Sequence, residues 1–282
     1  AAPNNSVLLS SSGFGWRGFS VELHNLAPTE MAGHQIEEHR LMVQVGKPVL
    51  FEWKNGSRWQ QKQFKTGDFS LQTHGDLNAP RWAENLEIIA VALEPEFVER
   101  IFQDSVQSDK IAFQTLRCES DETIARFAAH FKNELENASY QGKLYGESMA
   151  MAFSFHLLER YGDFSVNLKM PRGKLASANL RRALEFVHEN LAEDLSIEDM
   201  ARESYLSAFH FARLFKDTLG LTPHQYVLRN RIERAKRLIA KSPQLNLTEI
   251  ALSVGFFDQA HFTKAFKRAT GATPKAFLKH AV

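Results

Sequence analysis

Cysteine is nearly absent: Cys118 is the only one in 282 residues. A single thiol forms no intramolecular disulfide and supplies no multi-cysteine zinc site, so the chain is expected in a reducing cytosol, with Cys118 a buried, inert side chain. Long apolar runs are also missing. A membrane-spanning helix needs about 20 consecutive apolar residues, and the start Ala1-Ala2-Pro3-Asn4-Asn5 lacks the basic stretch and apolar core of a secretory signal. No membrane partner is expected. Charge of one sign is lacking in the total as well: 34 Lys and Arg face 33 Asp and Glu, a net of +1. That balance excludes a uniformly basic nucleic-acid binder but not a chain whose halves differ in sign. With 44% apolar and 24% charged residues, the composition is that of an ordinary globular protein. The length suits one large or two medium domains.

Short apolar or alternating runs separated by turn residues fill Val7 to about Leu93, among them Leu41-Met-Val-Gln-Val45, Val49-Leu-Phe-Glu-Trp53 and Leu86-Glu-Ile-Ile-Ala-Val-Ala-Leu93. They predict an antiparallel barrel or sandwich over about residues 7–95. Asn55-Gly56 marks a hairpin turn, because both positions tolerate positive φ. After Pro95 the period becomes helical. Ile124, Phe127, Ala128, Phe131 and Leu135 share one face, and Leu144, Ser148, Met151, Ala152, Phe155 and Leu158 share another. Two helices within about residues 96–162, joined at Gly142, either cap the barrel or expose a Phe and Met stripe as a dimer seam. Between Tyr161-Gly162-Asp163 and Pro171-Arg-Gly173 the pattern weakens into a linker. The expected class is α+β: a sensor and dimerisation domain over residues 1–170 and an all-helical domain over 171–282.

Counted separately, the halves differ. Residues 171–282 hold 18 basic and 11 acidic side chains, a net of +7, while the rest holds 16 and 22, a net of −6. A basic half beside an acidic one is expected when one part meets phosphate and the other does not.

The basic half repeats itself. One unit runs from Leu195-Ser-Ile-Glu-Asp-Met-Ala201 through Phe209-His-Phe-Ala-Arg-Leu-Phe-Lys216 to Gly220-Leu-Thr-Pro223. The other runs from Leu245-Asn-Leu-Thr-Glu-Ile-Ala251 through Gln259-Ala-His-Phe-Thr-Lys-Ala-Phe-Lys267 to Gly271-Ala-Thr-Pro274, with one extra residue around Gly255. Each reads as helix, sharp turn, helix, over about 195–220 and 245–271. Ser196 with Asp199 and Asn246 with Glu249 resemble capping boxes, Ser207 and Asp258 are candidate caps of the second helices, and Gly220 and Gly271 end them.

Phe211, Leu214 and Phe215 form the core stripe of one second helix and Phe262, Ala265 and Phe266 that of the other. The opposite faces are then Ala208, Phe209, Ala212, Arg213 and Lys216, and Gln259, Ala260, Thr263, Lys264 and Lys267. These faces suit the major groove of double-stranded DNA. Arg and Lys reach guanine O6 and N7, Gln pairs with adenine, and Ala or a Thr methyl touches the thymine methyl. Phe209 is expected exposed, to pack on DNA, while Lys216 and Lys267 are phosphate contacts. His210 and His261 match between repeats and read as helix-packing residues. Thr222 to Lys241 forms a connecting helix whose Arg229 and Arg231 are phosphate anchors. Readers held about 34 Å apart enter successive major grooves.

Arg231-Ile-Glu-Arg-Ala-Lys-Arg-Leu-Ile239, Ile250-Ala-Leu-Ser-Val-Gly-Phe256 and Gln259-Ala-His-Phe-Thr-Lys-Ala-Phe-Lys267 resemble the DNA-binding signature of the AraC family of bacterial transcription regulators. The resemblance covers roughly residues 176–282. It implies a seven-helix domain with two helix-turn-helix units, usually an activator that contacts RNA polymerase. It also implies a homodimer and a cupin-like N-terminal barrel that binds a small effector. Phe257 departs from the pattern, which more often has a small or polar residue there.

In the N-terminal half, Gly67-Asp-Phe-Ser-Leu-Gln-Thr-His-Gly75 faintly resembles a cupin motif, but Asn78 stands where a metal-binding His is expected, and no His-x-His occurs. No metal or cofactor is expected. His34, His39, Trp53, Trp59, His74 and Trp82 are the candidate effector residues, although large aromatics in a barrel usually fill core. The missing metal set and the absence of a nucleophile motif argue against a cupin-type enzyme with a DNA-binding appendage. A constitutive regulator whose N-terminal half only dimerises remains an alternative.

Overall fold

The computed structural model describes residues 7–73, 75–77, 79–103, 111–137, 142–163, 173–241 and 246–281. The chain forms two compact units, neither of them one continuous stretch. The first comprises residues 1–100, 106–139 and 150–168, the second 101–105, 140–149 and 169–282. The predicted linker lies mostly in 164–172, outside the described residues.

In chain order the elements of the N-terminal half are β1 (Val7–Ser10), β2 (Phe19–Leu26), β3 (Thr29–Glu30), β4 (His34–Ile36), β5 (His39–Gln44) and β6 (Val49–Asn55). Then come β7 (Arg58–Phe64), β8 (Asp68–Gln72), β9 (Gly75–Leu77), β10 (Pro80–Trp82), β11 (Leu86–Leu93), α1 (Pro95–Phe102), β12 (Leu116–Ser120), α2 (Glu122–Glu136) and α3 (Lys143–Tyr161). The strands make a six-stranded antiparallel sheet, β1-β2-β11-β5-β8-β12, a four-stranded sheet, β3-β10-β6-β7, and a pair, β4-β9. Period-two burial drives the pairing, since one face of each central strand is apolar. Val21, Leu41, Val43, Phe69, Leu71, Ile89 and Val91 are all buried. The predicted Asn55-Gly56 hairpin is formed: Asn55 pairs with Arg58, and Gly56 takes φ 61°.

The predicted closed barrel is not formed among the described residues. Both edge strands of the large sheet, β1 and β12, shift register, and such irregularities end a hydrogen-bond ladder rather than extend it.

α2 is capped by Asp121, whose carboxylate accepts the Thr123 and Ile124 N–H groups at 2.8 and 3.1 Å. His156 and Tyr161 also reach it, at 2.9 and 2.8 Å. Burial pushes this carboxyl up, but the bonds from Tyr161, His156 and Ile124 outweigh it and hold it at about 2. Of the predicted stripe, Ile124, Ala128, Phe131 and Leu135 are buried and Phe127 is half-buried, and Phe153 of α3 meets Phe127 and Phe131 edge-on. In α3 the predicted stripe is partly misplaced. Ala152 is exposed and Ser148 and Phe155 are half-buried, whereas Glu147, Ala150, Phe153, Ser154 and Leu157 are buried. A helix covered on more than one side has no single apolar face for periodicity to find.

The second unit contains, among the described residues, seven further helices: α4 (Ser177–Glu189), α5 (Ile197–Glu203), α6 (Ala208–Leu219), α7 (Pro223–Lys241), α8 (Leu247–Ser253), α9 (Gln259–Thr270) and α10 (Pro274–Ala281).

Candidate nucleic-acid interface

Helices α5 and α6 form one helix-turn-helix unit and α8 and α9 the other. In the second, Asn246 and Glu249 make a complete capping box, and the Asp258 carboxylate accepts the His261 N–H at 2.7 Å. In the first, Ser196 accepts the Asp199 N–H at 3.0 Å, but Ser207 departs from its expected role. It occupies the cap position without capping, because its hydroxyl lies 3.0 Å from Nδ1 of His210. Gly220 and Gly271 end the second helices at φ 72° and 81°, the left-handed conformation that lets the last carbonyls find N–H partners. Thr222 and Thr273 cap the helices that follow, accepting the N–H groups of Gln225 and Ala276.

The turns match residue for residue until Phe256. Tyr205 and Gly255 both take left-handed backbone, at φ 54° and 92°, and the next residues, Leu206 and Phe256, donate to the carbonyls of Ala201 and Ala251. The extra residue of the second unit is therefore Phe257, exposed on the longer turn. Relative to the first unit, Phe257 is one added residue beside a turn that is itself kept.

The two candidate reading faces are not equivalent in their surroundings. On α9, Gln259, Ala260, Lys264 and Lys267 are exposed and Thr263 half-buried. Of the five face residues on α6, Arg213 and Lys216 are exposed, while Ala208, Phe209 and Ala212 are buried. The expected exposed Phe209 is 7% accessible, with its ring 5.0 Å from that of Phe102 in the segment 101–105 of the same unit. The physical reason is its position at the edge of the apolar arc of α6, where one more ring from outside the repeat closes over it.

Arg231 also differs from its expected role. Its Nε donates to Leu191 O at 3.0 Å and its guanidinium donates again to Glu193 O at 2.6 Å, so it ties α7 to the α4–α5 loop. Arg229, two residues earlier, is exposed. Gln259 is held in place by Thr248, whose hydroxyl donates to Oε1 at 2.8 Å and leaves the amide N–H groups for a second partner. His261 and His224 face inward. Burial, reinforced by Arg231 beside both, lowers each to about 4, so both are neutral near pH 7. This agrees with a packing role for His261. One residue the sequence gave no reason to single out is Glu147, which is buried and accepts the Ile197 N–H at 2.8 Å. Burial pushes its carboxyl up to about 7, the Ile197 bond opposes this, and Glu198 and Asp199 add to the rise.

Residues 200–280 match a helix-turn-helix domain family. Over 104 residues the chain is 35% identical to the probable transcriptional regulator LumQ of Photobacterium leiognathi, covering 37% of this chain and 42% of that protein. Residues 200–280 of the chain are therefore similar to the helix-turn-helix domains of transcriptional regulators. The chain thus spans less than half the length of that relative. It is 24% identical over 258 residues to the MmsAB operon regulatory protein of Pseudomonas aeruginosa, 88% of this chain and 77% of that one. Among solved structures it resembles a transcriptional regulator with an AraC-type DNA-binding domain from Chromobacterium violaceum, at 29% identity and TM-score 0.35, over 37% of this chain and 92% of that one.

Of the candidate effector residues, Trp53 and Trp82 share a core around Phe51, while His39 and Trp59 have other neighbours. Trp82 is buried, stacked on Phe51 at 6.0 Å, with its Nε1–H donated to Ala27 O; Trp53 lies against Phe51. Trp59 is half-buried beneath the Arg81 guanidinium, 3.8 Å from the ring centre. His39 is buried edge-on to Phe113, 3.0 Å from the Thr73 hydroxyl. His34 begins β4. His74 and Asn78 lie outside the described residues. Among the described residues no cluster of His, Cys, Asp or Glu could hold a metal, and no helix is long and apolar enough to cross a membrane. Cys118 is buried, and desolvation pushes its thiol up to about 11.

Proposed function

We propose that this chain is a sequence-specific, DNA-binding transcriptional activator that contacts RNA polymerase. In this reading it acts as a cytoplasmic homodimer whose N-terminal sheets, in the role of the family's cupin-like sensor, bind a small effector. The observation that carries the reading is a pair of helix-turn-helix units joined by the 19-residue helix α7, each with cationic side chains on the exposed face of its second helix. Arg213 and Lys264 read guanine. Gln259 donates its free amide N–H groups to a purine acceptor, and Ala260 and Thr263 meet thymine methyls. Lys216, Lys267 and Arg229 anchor phosphates. Ala208, Phe209, Ala212 and Arg231 hold the domain together instead.

A mobility-shift titration against fragments selected from a random DNA pool tests this. Arg213→Ala and Lys264→Ala are each expected to lose about 1 to 3 kcal/mol of specific binding while keeping affinity for random DNA. Unchanged affinity for the selected sequence in both variants would reject the assignment.

A further inference from the structure

The N-terminal unit contains a cleft of about 230 Å³ that none of the candidate effector residues lines. Its walls come from Ser12, Trp16, Ser20, Glu38 and Glu94, with Gly18 and Phe19 at its base. Gly18 makes the cleft possible. It takes φ 78°, and a Cβ there would stand 2.4 Å from the Phe97 ring, so only glycine lets the loop lie this close to α1. The Glu94 N–H closes the same corner by donating to Gly18 O at 2.9 Å.

Three features describe an occupant. Two lining residues are acidic and none is basic; Glu38 is paired with Arg40 at 3.0 Å, which leaves Glu94, exposed at the cleft, as the carboxylate for an incoming charge. Trp16 gives an aromatic wall, stacked on Phe19 at 4.8 Å with 16° between planes and met edge-on by Phe14. The Trp16 Nε1–H is buried and has no acceptor, an uncompensated loss of hydration that an incoming oxygen would repair. A carboxylate beside an indole face attracts an organic cation. A bare amine leaves the N–H unsatisfied, whereas a cation that also carries oxygen answers both.

We propose that this cleft binds a small organic ammonium bearing a hydroxyl, its nitrogen between Trp16 and the carboxylate of Glu94 and its oxygen taken by Trp16 Nε1–H. This rests on the effector-controlled reading for its purpose, but binding itself is separable from DNA recognition.

The test titrates the full chain with choline, ethanolamine and the neutral choline isostere 3,3-dimethylbutan-1-ol, read by calorimetry and tryptophan fluorescence. Choline or ethanolamine is expected to saturate, with the neutral isostere at least about tenfold weaker, a difference of about 1.4 kcal/mol. Glu94→Gln, on an exposed side chain, is expected to weaken the cation about tenfold without altering the fold. Trp16→Phe keeps an aromatic wall, loses the N–H and is expected to erase the difference between the hydroxylated cation and tetramethylammonium. Equal binding of the neutral isostere, no saturable binding of either cation, or an unchanged Glu94→Gln variant overturns the proposal. If choline binds but leaves operator affinity unchanged in a mobility shift, the site stands and effector control through it fails. If neither cation binds while the selected DNA still does, the site fails and the DNA-binding reading stands.

Discussion

Gly255 and Tyr205 occupy the same left-handed turn, yet only Gly255 is also crowded. A Cβ there would lie 2.6 Å from Leu191 O and 2.8 Å from Arg231 Nε. Gly255→Ala therefore combines backbone strain with a clash against backbone and the tethered Arg231. It is expected to lower stability by more than about 1 kcal/mol, measured as a fall in the urea midpoint. The second residue with a clear consequence is Glu147. Its carboxyl is raised from 4.5 to about 7 in the fold, so the unfolded chain releases its proton first as pH rises. The stability present below about pH 4.5 is lost progressively up to about pH 7 and stays lost above it. Glu147→Gln keeps an acceptor for the Ile197 N–H and removes the charge. It should raise stability at pH 7.5 by up to about 3 kcal/mol and leave it unchanged at pH 4, read from denaturation curves at both. A larger gain at pH 4 than at pH 7.5 would contradict the sign. Neither Glu147 nor the burial of Phe209 was legible in the sequence, because their partners come from segments far away along the chain. The caps Asn246, Glu249 and Asp258 were legible because their partners lie three residues on.

At the scale of elements, α7 is the ruler between the two units. One residue inserted into its middle turns everything beyond it by about 100° and advances it by about 1.5 Å. An alanine placed between Lys236 and Arg237 should therefore abolish preference for the selected DNA while leaving salt-sensitive affinity for random duplex largely intact, measured by competition mobility shift. Retained preference would mean that the two reading helices act independently. The repeat made these helices readable, since the same helix, turn and glycine stop occur twice and each copy checks the other. The strand-rich half offered no such internal check. Alternation announced β11 and the Asn55-Gly56 turn, but whether edges such as β1 and β12 find one another depends on register shifts that local pattern does not encode.

For the whole molecule, the opposed charges bear on the proposed binding to DNA. Residues 171–282 alone carry +7, against +1 for the full chain. The fragment is thus expected to bind random duplex more tightly than the full chain at about 0.05 M salt, and the advantage should shrink toward 0.5 M as the Debye length shortens. An advantage that persists unchanged at high salt would point to a steric origin. The fragment also lacks Phe102 and residues 140–149, which belong to the second compact unit. It should therefore denature at lower temperature than that unit does in the full chain, with Phe209 uncovered and the Ile197 N–H without its carboxylate. The same discontinuity bears on modular engineering. A chimaera spliced at residue 171, the natural seam by sequence, would transplant a reader missing two of its own packing segments. A portable cassette must bring along a stand-in for Phe102 and the turn of helix that carries Glu147.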